Sequence, residues 1–333
     1  MASVSVLMAA FNAEHFIDEA IESVLLQTYQ DWELIIIDDC STDGVRDHIS
    51  AKYSEEPRIK YRRLDRNSGP AAARNVGIEC AQGTWLTILD SDDRYLPGRL
   101  AALLSAGEGD DLDLICDNQL YYDSNQAKVV QPGFVLKSGR VALTTELLLR
   151  NDGPPLRFSF GALKPFCRRD FLMRHHIRYP EDLRVGEDFV FLFEMLIRKA
   201  RAILIAEPYY LYTIPIVRAQ LASSKTRTNY GIGNLESLIA ANAKLLGDIA
   251  ADAPNAAELK SLLNVRDRRL RCSLALRDMG GGGVLVSARR LLEEAAWGRF
   301  AFDKLRNVFQ RSHVVRGAAR ERRITGVHCD GHL

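Results

Sequence analysis

Along the first hundred residues, apolar runs alternate with amphipathic stretches. Four apolar runs predict buried strands, at 3–10, 33–37, 58–64 and 84–89. Three stretches between them carry helical spacing or helix-capping residues, at 14–26, 41–53 and 71–81. Strands that alternate with helices of this length indicate βαβ units and a parallel sheet. We therefore predict an α/β fold with a mostly parallel central sheet flanked by helices.

The pattern is less regular beyond Arg99. Helical segments are predicted at 100–105, 169–175 and 186–200, and strands at 112–116, 119–122 and 128–135. From Tyr230 onward the sequence is mainly helical in character, with a hinge or loop at the glycine run 280–283. We expect an α/β domain over 1–217, with halves 1–100 and 101–217, and a helical C-terminal extension over 218–333.

Composition narrows the class of protein. With 333 residues and 47% hydrophobic content, the chain can bury a sizeable core. It has no apolar run of about 18 residues, and its start lacks a basic region, so neither a membrane span nor a signal peptide is predicted. The six cysteines are scattered and are expected to be free thiols. These features predict a cytoplasmic protein.

The charge is unevenly distributed. The net charge is only +1, yet from Lys260 onward there are sixteen basic residues against seven acidic ones. Within 285–323, basic residues alternate with aromatic and aliphatic ones, which suits peripheral contact with an anionic membrane on the inner face. A packed helical extension, a homodimer contact and a solvated basic face are the competing interpretations. No nucleic-acid partner is predicted, because only the basic tail would support one.

An acidic turn carries the clearest chemistry. Asp90-Ser91-Asp92-Asp93 follows directly after the run 84–89, at the carboxyl end of a predicted strand. Three neighbouring carboxylates repel one another unless a cation or solvent compensates. Carboxylate oxygens suit a hard divalent ion such as Mg²⁺ or Mn²⁺, which can hold substrate phosphates. A solvated acidic turn is the alternative.

Further short motifs accompany this turn in a fixed order. They are Phe11-Asn12-Ala13-Glu14, Asp38-Asp39-Cys40-Ser41, Gly69-Pro70-Ala71-Ala72-Ala73-Arg74-Asn75 and, about a hundred residues after the turn, Gly186-Glu187-Asp188. Together they resemble the family-2 inverting glycosyltransferases, which have a GT-A-type nucleotide-sugar fold. The resemblance covers roughly residues 3–215.

The resemblance implies a nucleotide site. Its residues would be Ala9, Phe11, Glu14, Asp39, Arg74, Asp90 and Ser91. Asp39 would accept a hydrogen bond from uracil N3–H, and Phe11 would stack on the base. Taken singly, Phe11 could instead be a core residue, Asp39 a helix cap and Arg74 a surface ion-pair partner.

The same resemblance implies metal-assisted sugar transfer. Asp90 and Asp92 would hold Mg²⁺ or Mn²⁺ against the diphosphate, with Asp92 as the direct ligand and Asp90 toward the ribose or a metal-bound water, while Asp93 supports the loop. Asp188 would be the general base of a single displacement, with Glu187 as the weaker candidate. The structural alternative is that Glu187 and Asp188 only complement the dipole of a helix N-terminus.

Two departures from the family pattern matter. Cys40 stands where glycine is more usual, and it should be tolerated provided that this backbone position is not left-handed. The Gln-x-x-Arg-Trp motif of processive synthases is absent, as are their membrane helices. Their absence favours transfer of one sugar per acceptor.

The implied enzyme is a hexosyltransferase. It would move one sugar from a UDP-hexose, UDP-glucose by default, to a hydroxyl of a glycan acceptor, expected to be lipid-linked. The expected setting is bacterial exopolysaccharide or lipopolysaccharide biosynthesis. The alternatives are an inactive nucleotide-sugar-binding protein and a nucleotidyltransferase, although the chain lacks a glycine-rich, lysine-bearing phosphate loop after its first strand.

Overall fold

The computed structural model describes residues 3–153, 159–183, 185–214, 232–249 and 255–280. The chain divides into two compact units, residues 1–270 and 271–333. All side chains discussed below belong to the first unit. The domain boundary expected at residue 217 stays a prediction.

Ten strands and nine α-helices lie within the described ranges. The strands are β1 (Val4–Ala10), β2 (Trp32–Asp38), β3 (Ile59–Arg63), β4 (Trp85–Ile88), β5 (Arg94–Tyr95), β6 (Leu114–Asp123), β7 (Lys128–Pro132), β8 (Arg140–Ala142), β9 (Pro165–Arg168) and β10 (Ala202–Ile214). The helices are α1 (Ile17–Leu25), α2 (Val45–Tyr53), α3 (Pro70–Cys80), α4 (Arg99–Ala106), α5 (Thr145–Arg150), α6 (Arg169–Arg174), α7 (Glu187–Ile197), α8 (Ile232–Asp248) and α9 (Ala256–Gly280). A short 3₁₀ turn, Phe160–Ala162, precedes β9.

All ten strands join in one mixed sheet. Its order is β3-β2-β1-β4-β9-β6-β10-β5, with β7 beside β6 and β8 beside β10. The first four of these strands are parallel, and so are β6 and β10. β9 is antiparallel to both β4 and β6 and so connects the two parallel groups. The predicted α/β class, a central sheet flanked by helices, is confirmed.

Strands β1 and β2 are buried on both faces, which explains their continuous apolar runs. Leu7 and Ile35 belong to one hydrophobic cluster, whereas Val6 and Leu34 belong to a second. Successive side chains of a strand point to opposite faces, so each strand contributes to both clusters. This packing on both sides fixes the strand ends, where the polar motifs begin.

The second half of the sheet departs most from the sequence-based prediction, which lacks β9 and β10. β9 has only four residues and starts with Pro165, a residue type depleted in strands. β10 is long, but its register against β6 shifts around Pro208. Local sequence signals are therefore weak in both strands, and their pairing with neighbouring strands stabilises them.

The backbone at Cys40 differs from the one that an unstrained cysteine requires. Cys40 adopts a left-handed conformation, with φ of 62°, so the condition for tolerating cysteine in place of glycine is not met. A left-handed non-glycine residue costs about 1–2 kcal/mol. The next residue anchors this turn, because the backbone N–H and the hydroxyl of Ser41 both donate to Asp38 Oδ1, at 2.8 and 2.5 Å.

Helices α8 and α9 agree with the helical character predicted after Tyr230. The remaining glycines of the predicted hinge, 281–283, and the basic segment 285–323 lie outside the described residues. Among the helices that the structure describes, none has both the length and the hydrophobicity required to cross a membrane.

Candidate active site

Three parallel strands end at the same edge of the sheet. β1 is followed by Phe11, β2 by Asp39, and β4 by the turn that contains Asp90. Ala9, half-buried near the end of β1, pairs with Ile37 of β2. Ligands of open α/β sheets bind beyond the carboxyl ends of such strands. The structure thus brings the predicted nucleotide and metal motifs to one edge.

Asp39 fixes the turn that starts α3. Its carboxylate is buried and accepts hydrogen bonds from the backbone N–H groups of Ser68, at 2.7 Å, and Gly69, at 2.8 Å. Gly69 has φ of 91°, which glycine adopts without strain, and Pro70 then begins the helix. Asp39 thus anchors the turn before α3 and does not cap the helix itself, which has no side-chain cap hydrogen bond. A carboxylate is also the kind of acceptor that uracil N3–H would need.

The loops after β1 and β2 are bonded to each other. The Glu14 carboxylate accepts a hydrogen bond from the Gly44 N–H, and the Glu14 N–H donates to Asp43, both at 3.0 Å. A Cβ at Gly44 would lie 2.6 Å from Glu14 Oε1, so a larger residue there would displace the Glu14 carboxylate. Phe11, on the first of these loops, is 38% exposed, which excludes the alternative of a core residue.

The acidic turn is anchored to β10. The buried Asp93 carboxylate accepts hydrogen bonds from the Tyr210 hydroxyl, at 2.7 Å, and the Thr213 N–H, at 2.8 Å. Burial, and then the neighbouring Asp90 charge, raise the pKa of Asp93 to about 7. Asp93 therefore supports the loop, as predicted, while Asp92 lies half-buried in the same turn.

Two buried cations link Asp90 to Asp188. The Arg74 guanidinium lies 2.9 Å from Asp90 Oδ1 and 3.1 Å from Asp188 Oδ1. The Lys164 ammonium lies 2.9 Å from Asp90 Oδ2 and 3.1 Å from Asp188 Oδ2. Cations and carboxylates thus alternate around a closed cycle, which we call the charge ring: Arg74, Asp90, Lys164 and Asp188. Glu187 joins it from one side, 2.8 Å from Arg74.

Burial strengthens these ion pairs. The side chains of Arg74 and Lys164 are 5% and 4% exposed. Burial alone would lower the pKa of each cation, but Asp188 and Asp90 together raise both above their usual values. Burial and the charge of Asp188 raise the pKa of Glu187. Both cations therefore stay protonated and hold the two aspartates in place.

The position of Asp188 follows from the start of α7. Gly186 precedes the helix in a left-handed conformation, and Glu187 and Asp188 occupy its first turn, where negative charge complements the helix dipole. The dipole interpretation and the charge ring are thus both realised. Arg74 is buried and contacts three carboxylates, so the alternative of a surface ion pair for it is wrong.

Lys164 is the site residue that the sequence-based prediction misses. It lies in the otherwise apolar run Leu163-Lys164-Pro165-Phe166-Cys167, at the start of the unpredicted strand β9. A lone lysine in such a run is the one signal that could have indicated it, because a buried lysine requires a carboxylate partner. Its partners, Asp90 and Asp188, are distant in sequence.

The acidic turn is chemically suited to a divalent ion. Mg²⁺ typically takes one or two protein carboxylates and completes its shell with phosphates and water. Asp90 and Asp92 offer two carboxylates on one turn, and Arg74 and Lys164 hold the Asp90 carboxylate in place. A closed site of three or more His, Cys, Asp or Glu ligands does not occur among the described residues. The donor set therefore fits an ion shared with a substrate, not a structural metal centre.

Comparison with known proteins identifies the family. The model of glycosyl transferase family 2 matches residues 5–172, half of the chain. The succinoglycan biosynthesis protein ExoU of Rhizobium meliloti is 33% identical over 84% of this chain and 80% of its own length. The succinoglycan biosynthesis protein ExoO of the same organism is 31% identical over 63% of this chain, and the match spans only 60% of ExoO. The chain belongs to glycosyl transferase family 2, which confirms the predicted family and its glycosyltransferase class.

Solved structures support the fold. Residues 1–349 of S. aureus TarS in complex with UDP-GlcNAc align with a TM-score of 0.62 at 22% identity, over 81% of this chain and 72% of that one. The mannosyltransferase PcManGT of Pyrobaculum calidifontis, in complex with GDP-Man and Mn²⁺, aligns with a TM-score of 0.55 at 18% identity, over 96% and 86%. At these identities the likeness shows the fold alone, which is that of the GT-A glycosyltransferase TarS.

Proposed function

We propose that the protein is an inverting hexosyltransferase that moves one sugar from a UDP-hexose, UDP-glucose by default, to a glycan hydroxyl. The observation that carries the proposal is the charge ring. It joins Asp90, at the end of β4, to Asp188, at the start of α7, through the same two cations. A carboxylate for the acceptor and one for the leaving group are thus held side by side.

The nucleotide would lie across the ends of β1, β2 and β4. The exposed Phe11 ring offers a stacking surface for the base, and the Asp39 carboxylate would accept from uracil N3–H. Ala9, Glu14 and Ser91 complete the proposed nucleotide site. Arg74 would turn toward a phosphate once a donor competes for its carboxylate partners, since a guanidinium binds phosphate in a planar, bidentate manner.

Asp90 and Asp92 would hold Mg²⁺ or Mn²⁺, which supplies Lewis-acid stabilisation of charge on the departing diphosphate. Asp188 would take the proton of the acceptor hydroxyl while that oxygen attacks the anomeric carbon, and the bond from this carbon to the diphosphate breaks. The nucleoside diphosphate leaves with the bonding electrons, so no covalent enzyme intermediate is needed. Lys164 holds Asp188 next to the acidic turn.

The names of the relatives support the biological setting. ExoO and ExoU are described as succinoglycan biosynthesis proteins, which favours a role in bacterial exopolysaccharide synthesis. We propose a lipid-linked glycan as acceptor and a peripheral location on the inner face of the plasma membrane, through 285–323. Vesicle flotation tests this contact: recovery should rise with the anionic lipid content, and equal recovery on neutral vesicles would refute its electrostatic part.

The central experiment is a screen of UDP- and GDP-sugars for nucleotide release with Mg²⁺ or Mn²⁺, with and without a lipid-linked glycan extract. We expect release from a UDP-hexose that is stimulated by the extract and abolished by a chelator. Release from GDP-sugars alone would contradict the uracil role of Asp39. An Asp39→Asn variant is the matched test of this uracil role, because asparagine keeps the shape of the side chain but loses its charge.

A further inference from the structure

A buried arginine on α9 contacts the helix that carries Asp188. Arg266 is 2% exposed, and its Nε donates to Asp152 Oδ2 at 2.6 Å. Its guanidinium carbon lies 3.7 Å from the centre of the Phe189 ring on α7. Arg266 also donates to Asn242 Oδ1 of α8 at 3.1 Å. One side chain therefore joins α7, α8, α9 and the loop after α5.

Asp152 extends this network to the 3₁₀ turn. Its Oδ1 accepts hydrogen bonds from the Gly161 N–H, at 2.9 Å, and from the Ser159 hydroxyl. A Cβ at Gly161 would lie 2.4 Å from Asp152 Oδ1 and 2.8 Å from Phe189 Cβ. The turn is therefore pressed against both the Asp152 carboxylate and α7, with no room for a larger residue.

Both elements that this network holds lead directly into the charge ring. Phe189 is the neighbour of Asp188, and Lys164 lies two residues beyond the end of the 3₁₀ turn at Ala162. Leu238 of α8 lies close to Gly186, the residue that precedes α7. A Cβ at Gly186 would lie only 2.1 Å from Leu238 Cδ2. The same network thus contacts both the helix that carries Asp188 and the turn that leads to Lys164.

We propose that Arg266, through Asp152 and the Phe189 ring, is a positioning residue that sets the placement of Asp188 relative to Lys164. The role in catalysis rests on the proposed function of Asp188 as the base, whereas the structural coupling does not. Arg266 touches no reacting atom in this scheme. It fixes the starts of two elements, each of which delivers one charge to the site.

The competing explanation is that the Arg266–Asp152 pair stabilises the fold alone. Glu33 provides a matched control for that explanation. The residue is 3% exposed, and its carboxylate accepts from the Ser5 hydroxyl at 2.5 Å, the Gln82 N–H at 2.7 Å and the Lys60 ammonium at 2.6 Å. Like Asp152, it thus accepts from a hydroxyl, a backbone amide and a cation. It lies near the amino end of β2, away from the edge with the charge ring.

Hydrogen exchange on the full chain tests the coupling without any substrate. In Arg266→Met and Asp152→Asn, the amides of 160–168 and 187–197 should exchange about tenfold faster than in the wild type. Glu33→Gln should leave both segments unchanged and speed up exchange at the amino ends of β1 and β2. Arg266→Lys should restore part of the protection. Equal exchange of 160–168 and 187–197 in Arg266→Met and Glu33→Gln would overturn the inference.

Kinetics test the catalytic part of the same inference. With the UDP-sugar that the screen identifies, Arg266→Met should lower kcat about 10- to 100-fold and change KM within about twofold, because the base is misplaced while the nucleotide site is intact. Glu33→Gln should keep the wild-type kcat. An unchanged kcat in Arg266→Met would refute the positioning role. If the wild type releases no nucleotide from any sugar donor, the proposed function fails, and hydrogen exchange still decides the coupling.

Discussion

Replacing Asp188 with asparagine separates catalysis from folding. The substitution keeps the size of the side chain and removes one negative charge from the charge ring. Arg74 keeps its contacts with Asp90, at 2.9 Å, and with Glu187, at 2.8 Å, and Lys164 keeps Asp90 at 2.9 Å. Neither buried cation is therefore left without a carboxylate, and the acidic turn keeps its partners.

The structure sets the expected magnitudes. Before the change, three carboxylates (those of Asp90, Glu187 and Asp188) face two cations, so removing one charge brings the cluster to balance. Weakening two charge-assisted hydrogen bonds should then lower stability by only about 1–2 kcal/mol. Loss of a general base should slow transfer about 10²- to 10⁴-fold, or about 3–5 kcal/mol in barrier height. The rate should therefore fall far more than stability.

Three measurements on Asp188→Asn decide the matter. Nucleotide release from the identified UDP-sugar gives kcat, titration calorimetry with UDP and Mn²⁺ gives donor affinity, and urea denaturation gives the free energy of unfolding. We expect a large loss in kcat, UDP affinity within about threefold of wild type and only slightly reduced stability. Glu187→Gln is the control, because Glu187 lies in the same helical turn but pairs with Arg74 alone.

Two results would refute this reasoning. Undiminished transfer by Asp188→Asn would remove Asp188 from the base role, and a selective loss in Glu187→Gln would assign that role to Glu187. A parallel collapse of UDP binding and stability in Asp188→Asn would instead show that the charge ring is a folding element. The second result would leave the chemistry of the acidic turn to be tested separately.

Three further predictions follow from other contacts. Lys164→Met should lower the free energy of unfolding by about 3–5 kcal/mol, because its carboxylate partners lose a buried cation; an unchanged urea midpoint would contradict this. Phe11→Ala should weaken UDP binding by about 1–3 kcal/mol in calorimetry without changing the melting temperature; equal affinity would exclude stacking. Burial by itself would raise the pKa of Asp18. Hydrogen bonds from α2, of which that from Lys52 is the strongest, instead lower this pKa from 3.8 to about 2. The stabilisation, about 1 kcal/mol after solvent screening, should be complete above about pH 4 and lost as the pH falls through 2, so Asp18→Asn and wild type should differ at pH 6 and converge below pH 2.

The parallel half of the sheet is predictable because its signals are local. β1 and β2 are apolar runs buried on both faces, and the helices between the strands carry their own apolar spacing, although none of α1, α2 and α3 has a side-chain cap hydrogen bond. The motif residues Asp39, Asp90 and Asp188 can be found because each follows a strand or opens a helix. Their placement at one sheet edge then follows from parallel pairing.

The environment of these residues is not predictable in the same way. Asp39 holds the start of α3 through two backbone N–H groups, and Arg74 is buried among carboxylates, although the sequence allowed a surface role. Cys40 is left-handed, although cysteine is not a residue type that favours this conformation. Such properties depend on hydrogen bonds and burial supplied by distant parts of the chain.

The sequence by itself determined the α/β class, the family and the order of the acidic and nucleotide motifs, because strand periodicity and short motifs depend only on residues that are close in sequence. Only the tertiary structure decided that β9 enters antiparallel between β4 and β6 and brings Lys164 to the site. The same holds for Arg266, which lies 78 residues after Asp188 in the chain and contacts the aromatic ring of Phe189, the neighbour of Asp188. Charges separated this far in sequence meet only when packing places them together, since burial makes each depend on its partner.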